Sequence, residues 1–395
     1  MTAGDPPIDP IDPDLDDGAG LIGPGGKVDP DAVRLAADGD DEGLQRVRFT
    51  LTRDLNKRLD KYLTDRIAFM SRTQLQKLVE LGAVTVNNRT PKPSTNLRLG
   101  DVVDVVIPAP PSTSIQPDDI PLNVLFEDAH LIILNKQADI IVHPARGHHR
   151  GTMLNALVAH FQNASATGGA LSTVGDEFAR PGVVHRLDRD TTGVIVFAKD
   201  DEAHWRLGSQ FEHRQVDKRY LALVEGAVST NVDVMEDPIG PHPSRAKGVR
   251  EKQAVRHDHL GKPAVTICRV RERFDHHTLV ELELKTGRTH QIRIHMTFHG
   301  HPIVGDDMYE GHALRLAHIE PRGDETVIMD RQALHATTLG FTHPITREPA
   351  MFTAPVPADF ALAMALLRKH SSRSGILTPP GATIDLDLAI PRVEV

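Results

Sequence analysis

The sequence predicts an α+β protein made of two folded units with a tail at each end. Its 395 residues are too many for one ordinary domain. Short β-rich runs follow one another with helical stretches between them. This order favours an α+β arrangement over the regular strand–helix alternation of a parallel sheet. A polar, proline-rich segment, residues 108–120, is predicted to be a linker between the two units.

Both ends of the chain are predicted to lie outside the folded units. Residues 1–45 are rich in Asp, Pro and Gly and hold 12 acidic but only 2 basic side chains. Such a segment buries too little apolar surface to offset its ordering entropy, so we expect a disordered acidic tail. Its charge suits a solubilising segment or, alternatively, a mimic of RNA that covers a basic surface. Residues 371–395 contain Ser, Pro and Gly, and we expect a loose C-terminal extension.

The first unit, residues 46–107, is predicted to be a small α+β module. Apolar residues recur at every fourth position along one face of a first helix, namely Leu55, Leu59, Leu63 and Ile67. Ser71 is a suitable N-cap for a second helix, with Gln74 three residues later, and Gly82 marks its end. Alternating valines predict strands over residues 84–86 and 103–107.

This module is also the basic part of the chain. Residues 46–106 hold 12 basic and 6 acidic side chains, although the whole chain has a net charge of −9. Local charge sets the attraction to phosphates, so the negative total does not exclude a nucleic-acid partner. Scattered cations often form only a solvated helix face. Here residues 71–75 and 82–87 resemble an S4 RNA-binding domain, which implies RNA contacts by five cations: Arg58, Lys61, Arg66, Arg72 and Lys77.

The second unit, residues 121–370, contains most of the strand-like runs. These runs cover residues 124–126, 131–134, 194–198, 221–224, 264–270 and 278–284. Helical stretches lie between them at residues 153–161 and 202–212.

The most informative stretch of the second unit is residues 185–193, which read His-Arg-Leu-Asp-Arg-Asp-Thr-Thr-Gly. Asp188 lies between Arg186 and Arg189, in a predicted loop that connects two apolar runs. Nearby positive charge favours the ionised form of a carboxylate. An ionised carboxylate can act as a nucleophile or a base. Taken alone, the pattern would more often indicate a structural ion pair.

A second motif, residues 285–295, reads Lys-Thr-Gly-Arg-Thr-His-Gln-Ile-Arg-Ile-His. Together the two motifs resemble the signature of the RluA/RluD-type pseudouridine synthases, in particular the ribosomal RNA enzymes that carry an S4 domain. Further blocks follow in the family's order within residues 120–368, namely residues 143–147, 151–157, 218–226, 300–306, 331–336 and 343–344. The resemblance implies a catalytic domain with a mixed, mainly antiparallel sheet and a cleft across it.

The resemblance also implies an activity, the isomerisation of uridine to pseudouridine in RNA. This reaction breaks the N1–C1′ bond of a uridine, turns the base and joins C5 to C1′. Asp188 would be the essential carboxylate, and Arg293 would pair with it and keep it ionised in a dry pocket. Tyr220 would stack on the uracil or serve proton transfer at C5. The alternative for Tyr220 is a core aromatic residue.

The target base has to leave the RNA stack to reach such a pocket. By resemblance, Arg186 is placed like the arginine that fills the space left by the flipped base in relatives. A plain phosphate contact is the alternative.

No cofactor is expected, because the isomerisation requires neither a redox change nor a metal. The histidine pairs 148–149 and 276–277 lack a partner cysteine, and neighbouring strand residues point to opposite faces. Cys268 is the only cysteine, which excludes an internal disulfide or a cysteine-based metal cluster. Neither of the common glycine-rich nucleotide motifs is present. His185, His290 and His295 are expected to be structural hydrogen-bond partners near the cleft.

We expect a cytoplasmic monomer whose partner is large-subunit ribosomal RNA or its precursor. The sequence has no apolar run long enough for a membrane span and no signal-peptide pattern. Two alternatives stay open: the same chemistry on transfer RNA, and a non-catalytic RNA-binding factor of ribosome assembly. A binding protein has no need of Asp188, Tyr220 and Arg293 together, which argues against the second alternative.

Overall fold

Two sheets of different size carry the fold. The computed structural model describes residues 20–23, 25–37, 44–108, 115–144, 150–172, 181–243, 252–320 and 322–394. A three-stranded sheet forms the first unit and a nine-stranded sheet the second. Three sets of predicted features lie outside the described residues: residues 1–19, 24 and 38–43 of the predicted acidic tail, residues 109–114 of the predicted linker, and the histidine pair 148–149.

The first unit consists of α1 (Pro30–Ala37), β1 (Leu44–Thr50), α2 (Leu59–Arg66), α3 (Arg72–Glu80), β2 (Val84–Val86) and β3 (Val102–Pro108). β3 lies between β1 and β2 and is antiparallel to both strands.

The two predicted helices of this unit form where the sequence placed them. Leu59, Leu63 and Ile67 are fully buried on one side of α2, whereas Leu55 precedes the helix. The Ser71 side chain accepts a hydrogen bond from the backbone N–H of Gln74, whose side chain accepts one from the N–H of Ser71. This capping box satisfies two backbone donors that the first turn of α3 would otherwise leave free.

Part of the predicted disordered tail is folded against this unit. Leu21, Val28 and Val33 are buried in the same apolar core as α2 and α3. The prediction of disorder is therefore wrong for the described residues of the tail. The reason is that a few well-spaced apolar side chains gain burial on a core that already exists, which the acidic composition of the segment hides.

The strands of the second unit are β4 (Val124–Glu127), β5 (Leu131–Lys136), β6 (Thr192–Ala198), β7 (Asp217–Glu225), β8 (Val232–Met235), β9 (Ile239–Pro241), β10 (Gln253–Val255), β11 (Thr266–Arg273), β12 (His277–Leu284), β13 (Leu314–Arg315), β14 (Val327–Met329), β15 (Leu334–Thr342) and β16 (Pro349–Thr353). Its helices are α4 (Met153–Asn163), α5 (Asp201–Glu212), α6 (Gln291–Phe298), α7 (Ala358–His370) and α8 (Leu386–Ala389).

The large sheet has the strand order β4-β5-β6-β15-β7-β12-β11-β8, with β16 paired to β15. β6 and β15 run parallel, and the other described pairs of this sheet are antiparallel. The α+β class and the mixed, mainly antiparallel sheet are thus confirmed. Every residue of β6 and of β12 is buried, so the middle of the sheet is covered on both faces. Among the described residues, no helix has the length and apolar character needed to cross a membrane.

The two units meet at α5. Trp205, the only tryptophan of the chain, packs into the apolar core of the first unit. Beside it, the Lys77 ammonium group lies 2.9 Å from the Asp201 carboxylate, and Arg46 pairs with Glu212. The small module therefore contacts the larger unit through one buried aromatic ring flanked by two ion pairs.

The predicted loose C-terminal extension is instead packed on the large sheet. Ile384, Leu386, Ala389 and Ile390 are buried in its main core. The prediction is wrong here because the Ser, Pro and Gly of this segment make turns between apolar anchors. Composition alone does not distinguish such a segment from a solvated coil.

A buried ion pair holds this segment in place. Arg271 on β11 pairs with Glu281 on β12 and also donates to the backbone carbonyls of Leu377 and Ile384. Glu281 in turn accepts hydrogen bonds from the backbone N–H groups of Thr383 and Ile384. In its described residues, the C-terminal segment crosses the sheet without forming a strand. Arg271 and Glu281 thus provide hydrogen-bond partners for its backbone groups.

Replacing Arg271 with alanine is expected to destabilise the fold by about 3 kcal/mol or more, because it leaves the buried Glu281 without its nearest cation. Urea denaturation measures the loss. Arg373→Ala is the matched control, since Arg373 pairs with Asp275 at the surface with 62% and 43% of the two side chains exposed. That loss should stay within the ~0–1 kcal/mol typical of exposed pairs. Equal losses in the two variants would contradict this account of the C-terminal segment.

Candidate active site

A small cavity lies between the loop before β6, the middle of β7 and the start of α6. Its lining consists of Arg186, Leu187, Asp188, Thr191, Tyr220, Leu284, Arg288, His290, Gln291, Ile292, Arg293 and Leu334. The three residues that the sequence predicts to be catalytic all line this cavity, together with Arg186. Asp188 and Arg293 are 105 positions apart in the sequence and in direct contact here.

The loop that carries Asp188 is fastened to the end of β5 by a buried lysine. Lys136 donates hydrogen bonds to the carbonyls of Gln137, Arg189 and Thr191 at 2.9, 2.7 and 2.9 Å. Burial lowers the pKa of Lys136 to about 7, although the negative charge of Asp188 acts in the opposite direction. Sequence reasoning did not select Lys136, because a lysine at the end of a strand pattern normally points into solvent.

Steric limits require glycine at position 193, the last residue of the motif that contains Asp188. Gly193 has a φ of +114°, and a Cβ atom there would lie 2.1 Å from the carbonyl oxygen of Ala336. β6 and β15 pair at this point, with Gly193 opposite Ala336. Any larger residue would push the parallel strands apart directly behind the Asp188 loop.

Arg293 on α6 is shared by two carboxylates. Its Nη1 atom lies 2.9 Å from Oδ2 of Asp188, while Nε and Nη2 lie 2.6 and 2.7 Å from the two oxygens of Asp306. Asp306 is completely buried, and Arg293 is 6% exposed. A planar guanidinium with fixed donor directions is suited to bind one carboxylate with two prongs and present its third nitrogen to another.

Asp306 was not among the predicted site residues. A signal was available, since it ends the block of residues 300–306 that resembles the family. The residues around Asp306 do not form a recognisable catalytic pattern, however. Its contact with Arg293 forms only when the chain after α6 folds back. Asp306 also caps a single 3₁₀ turn, Asp307–Tyr309, by accepting from the N–H of Tyr309.

Asp188 is held in its ionised form. Burial raises the pKa of Asp188. The positive charges of His290, which is protonated in the acid range where this carboxyl group titrates, and of Arg293 and Arg186, with the hydrogen bond from Arg293, outweigh burial and lower the pKa to about 2. Burial also lowers the pKa of His290, so its ring is neutral at pH 7 and the two arginines supply the positive charge there. The result is a carboxylate anion, 16% exposed, in the lining of the cavity.

Tyr220 lies on β7, opposite Leu282 of β12 and Ala336 of β15. Its side chain belongs to the apolar core and also lines the cavity. The ring therefore belongs both to the core and to the lining of the cavity, and its contact with the uracil stays a prediction.

The three histidines that were expected to be structural differ in position. His185 is buried, stacks on Phe211 at 4.6 Å and accepts from the N–H of Val196. His295 is fully buried and contacts the Thr266 hydroxyl at 2.9 Å. His290 instead lines the cavity, with Nε2 3.8 Å from Oδ1 of Asp188. Sequence reasoning placed His290 correctly near the cleft but assigned it no contact with the carboxylate.

The five cations predicted to bind RNA differ in their contacts within the fold. Arg58 and Arg72 both bind the fully buried Asp60, at 3.1 and 2.7 Å, yet 45% and 47% of their side chains stay exposed. Burial raises the pKa of Asp60, but hydrogen bonds from Arg72, Gln76 and Arg58 hold it well below its usual value. Two of the predicted RNA contacts therefore also stabilise the module from within.

The other three of these cations have separate surroundings. Arg66 lies over the Tyr62 ring, 5.4 Å from its centre, and donates to backbone carbonyls of the folded tail segment. Lys77 pairs with Asp201 of the larger unit. Lys61 is exposed on α2. Within the described parts of the chain, no three His, Cys, Asp or Glu side chains are grouped in a way that could hold a metal ion.

Comparison with known proteins adds independent findings. A family model described as RNA pseudouridylate synthase matches residues 130–298, and the S4 domain model matches residues 57–103. The ribosomal large subunit pseudouridine synthase D of Xanthomonas campestris pv. campestris is 41% identical over 327 residues, which cover 81% of this chain and 92% of that relative. The protein of the same name from Zymomonas mobilis subsp. mobilis is 38% identical over 321 residues, covering 80% of this chain and 96% of the relative. Among solved structures, human RNA pseudouridylate synthase domain containing 4 has 24% identity and a TM-score of 0.49, over 62% of this chain and 93% of that one.

Arg293→Ala is expected to raise the pKa of Asp188, because the carboxylate stays buried and loses its direct partner. From about 2 in the parent protein, the pKa should rise to or above that of an ordinary aspartate. Carbon-13 NMR of aspartate-labelled protein measures it, with the Asp188 signal assigned by its loss in Asp188→Asn. Arg293→Lys should raise the pKa less, since lysine keeps the charge and loses the planar geometry.

The control for this prediction addresses the second carboxylate. Arg293→Ala also leaves the buried Asp306 unpaired, which by itself destabilises the fold. The double variant Arg293→Ala/Asp306→Asn removes that charge, so its melting temperature should lie above that of Arg293→Ala. The raised pKa of Asp188 should persist in both variants. A pKa that stays near the parent's in both would show that Arg293 does not keep Asp188 ionised.

Proposed function

The chain belongs to the RNA pseudouridylate synthase family, and from this premise we propose that it converts specific uridines of large-subunit ribosomal RNA to pseudouridine. The proposal rests on one observation: Asp188, Arg293 and Tyr220 line the same cavity. Relatives named for the ribosomal large subunit align with this chain over 92% and 96% of their own lengths. The aligned stretches of 327 and 321 residues are longer than the catalytic unit and so extend into the S4 module, which supports a shared RNA substrate.

In this proposal Asp188 is the nucleophile of the isomerisation. A nucleophilic carboxylate has to be ionised, and Asp188 is kept so by the fixed charge of Arg293 and not by solvent. Asp188 bonds to the uridine, and the N1–C1′ bond breaks with its electron pair left on the uracil. After the uracil has turned within the cavity, C5 bonds to C1′, the bond to Asp188 breaks, N1 takes up a proton and the proton at C5 is released. Tyr220 provides the ring against which the uracil stacks, and its hydroxyl group assists the transfer of that proton.

Arg186 lines the same cavity. Since the target base has to leave its stack, a long cationic side chain beside Asp188 is suited to occupy the space that the base vacates. The alternative function of Arg186, a phosphate contact, uses the same charge without insertion into the stack.

Substrate and product are isomers, so we propose an enzyme that acts without a metal or nucleotide cofactor. We also propose that it acts as a monomer in the cytoplasm.

Asp188→Asn is expected to abolish pseudouridine formation while the fold stays intact, because the amide keeps the shape of the carboxylate and loses its charge. Release of tritium from ribosomal RNA labelled at C5 of uridine measures the reaction. Asp190→Asn is the matched control in the same loop, since Asp190 accepts from the N–H of Asp139 and does not line the cavity. It should retain most of the activity. Measurable turnover by Asp188→Asn would exclude Asp188 as the nucleophile.

The substrate itself is identified by mapping pseudouridines in cells with and without the gene. Loss of specific pseudouridines from large-subunit ribosomal RNA, restored by the parent gene and not by the Asp188→Asn gene, is the expected result. Loss from transfer RNA alone would replace the proposed substrate by the other one considered. Unchanged maps of both RNA classes would contradict the proposed function.

Lys61→Ala is expected to weaken RNA binding and to flatten its salt dependence. Each phosphate contact that is lost reduces the slope of log affinity against log salt by about 0.7 to 0.9. Lys61 is suited to this test because it is exposed on α2 and its ammonium group pairs with no carboxylate among the residues that the structure describes. Arg392→Ala removes an exposed charge near the C-terminus and should leave the slope unchanged. Equal slopes for the parent and Lys61→Ala would remove Lys61 from the RNA interface.

A further inference from the structure

His290, which lines the cavity, occupies an unusual backbone position. It is the residue before α6 and has a φ of +57°, in the left-handed region, which only a minority of non-glycine residues adopt. This conformation places the imidazole next to Asp188, with 11% of the side chain exposed. Strained backbone positions cluster at functional sites, so the strain at His290 indicates a role for the side chain that it places beside Asp188.

A short chain of hydrogen bonds determines which ring nitrogen of His290 carries the proton. The backbone N–H of Gln253 donates to the hydroxyl oxygen of Tyr309 at 3.0 Å, and that oxygen lies 2.8 Å from Nδ1 of His290. Among the described residues Nδ1 is the one acceptor within reach of the hydroxyl hydrogen. A buried donor without an acceptor is costly, so this hydrogen is directed to Nδ1. Burial raises the pKa of Tyr309, so the phenol keeps this hydrogen at neutral pH. A neutral histidine whose Nδ1 accepts carries its proton on Nε2.

The Nε2 atom of His290 faces the catalytic carboxylate. It lies 3.8 Å from Oδ1 of Asp188, while Nη1 of Arg293 binds the other oxygen, Oδ2, at 2.9 Å. The two oxygens of the Asp188 carboxylate thus face different donors: the neutral His290 at Oδ1 and the charged Arg293 at Oδ2. A separation of 3.8 Å is longer than a hydrogen bond, but such contacts in substrate-free enzymes often tighten when the substrate binds.

We propose that His290 is a positioning residue for the isomerisation, with its Nε2–H group turned by Tyr309 toward Asp188 to fix the direction of the attacking carboxylate. This proposal rests on the proposed function of Asp188. A neutral donor orients the carboxylate without neutralising its charge, which a second cation in contact would do. Tyr309 then serves two neighbours of Asp188, because its ring also lies under the guanidinium of Arg293, 4.9 Å from the ring centre.

Tyr309→Phe is the sharpest variant for a test, because it keeps the ring beneath Arg293 and removes only the hydroxyl that sets the tautomer. Nitrogen-15 NMR of histidine-labelled protein, with the His290 signals assigned by their loss in His290→Gln, shows the tautomer directly. The parent should have Nδ1 unprotonated and Nε2 protonated. Tyr309→Phe should give a mixture of tautomers and lower kcat about 10-fold, with little change in KM.

The variants at His290 complete the test. His290→Ala should lower kcat about 10- to 100-fold, the factor that corresponds to one hydrogen bond to a charged group. His290→Gln should recover part of this loss, since its amide nitrogen presents a donor near the position of Nε2. His290→Ala/Tyr309→Phe should be no slower than His290→Ala alone, because Tyr309 acts through His290.

Three results would overturn the proposal. They are a parent protein with Nδ1 protonated, a Tyr309→Phe variant with the parent's kcat, and additive losses in the double variant. The tautomer is read without any turnover, so it separates this proposal from the proposed function. An inactive parent with the expected tautomer would count against the function alone. If His290→Ala does not fold, Tyr309→Phe and the NMR measurement still decide.

Discussion

The guanidinium of Arg293 is the interaction on which the site depends. It is buried between Asp188 and Asp306, and it binds one oxygen of the first and both oxygens of the second. Two negative charges and one positive charge leave the group with a net negative charge, which lies on the less buried carboxylate, Asp188. Asp306 therefore fixes the position of Arg293, and Arg293 keeps Asp188 ionised where burial alone would favour the protonated form. The loop of Asp188 therefore has to meet residues 293–306, although Asp188 and Arg293 are 105 positions apart in the sequence.

The rest of the large sheet places those segments within reach of one another. Lys136 at the end of β5 binds the carbonyls of the Asp188 loop, and Gly193 lets β6 pair closely with β15 behind it. The Thr192 side chain lies 2.8 Å from Nδ1 of His335 across the same parallel pair. Tyr220 is held on the neighbouring strand of β15. The sheet thus supports the Asp188 loop and Tyr220, and residues at the start of α6 complete the lining of the cavity.

Local sequence patterns predicted those features that depend on local physics. The capping box of α3 follows from Ser71 and Gln74, and the strands of the large sheet follow from short β-branched runs. Asp188 and Arg293 were found together because each lies in a motif that resembles the family. Asp306 and Lys136 were missed, since their contacts join residues that only the folded sheet brings together. Composition failed for the described part of the acidic tail and for the C-terminal segment, because it records neither the spacing of apolar anchors nor the surface that receives them.

The central claim is that Asp188 acts as an anion maintained by Arg293 within a buried site. The most direct test is the pH dependence of single-turnover pseudouridine formation by the parent protein on saturating ribosomal RNA. Because the pKa of Asp188 is lowered to about 2, the rate should not fall through protonation of this group at any pH above about 4, near the value of an ordinary aspartate. A rate that falls on the acid side with a midpoint above about 5, and shifts further upward in Arg293→Lys, fits only a carboxyl group with a raised pKa. That result would contradict the account.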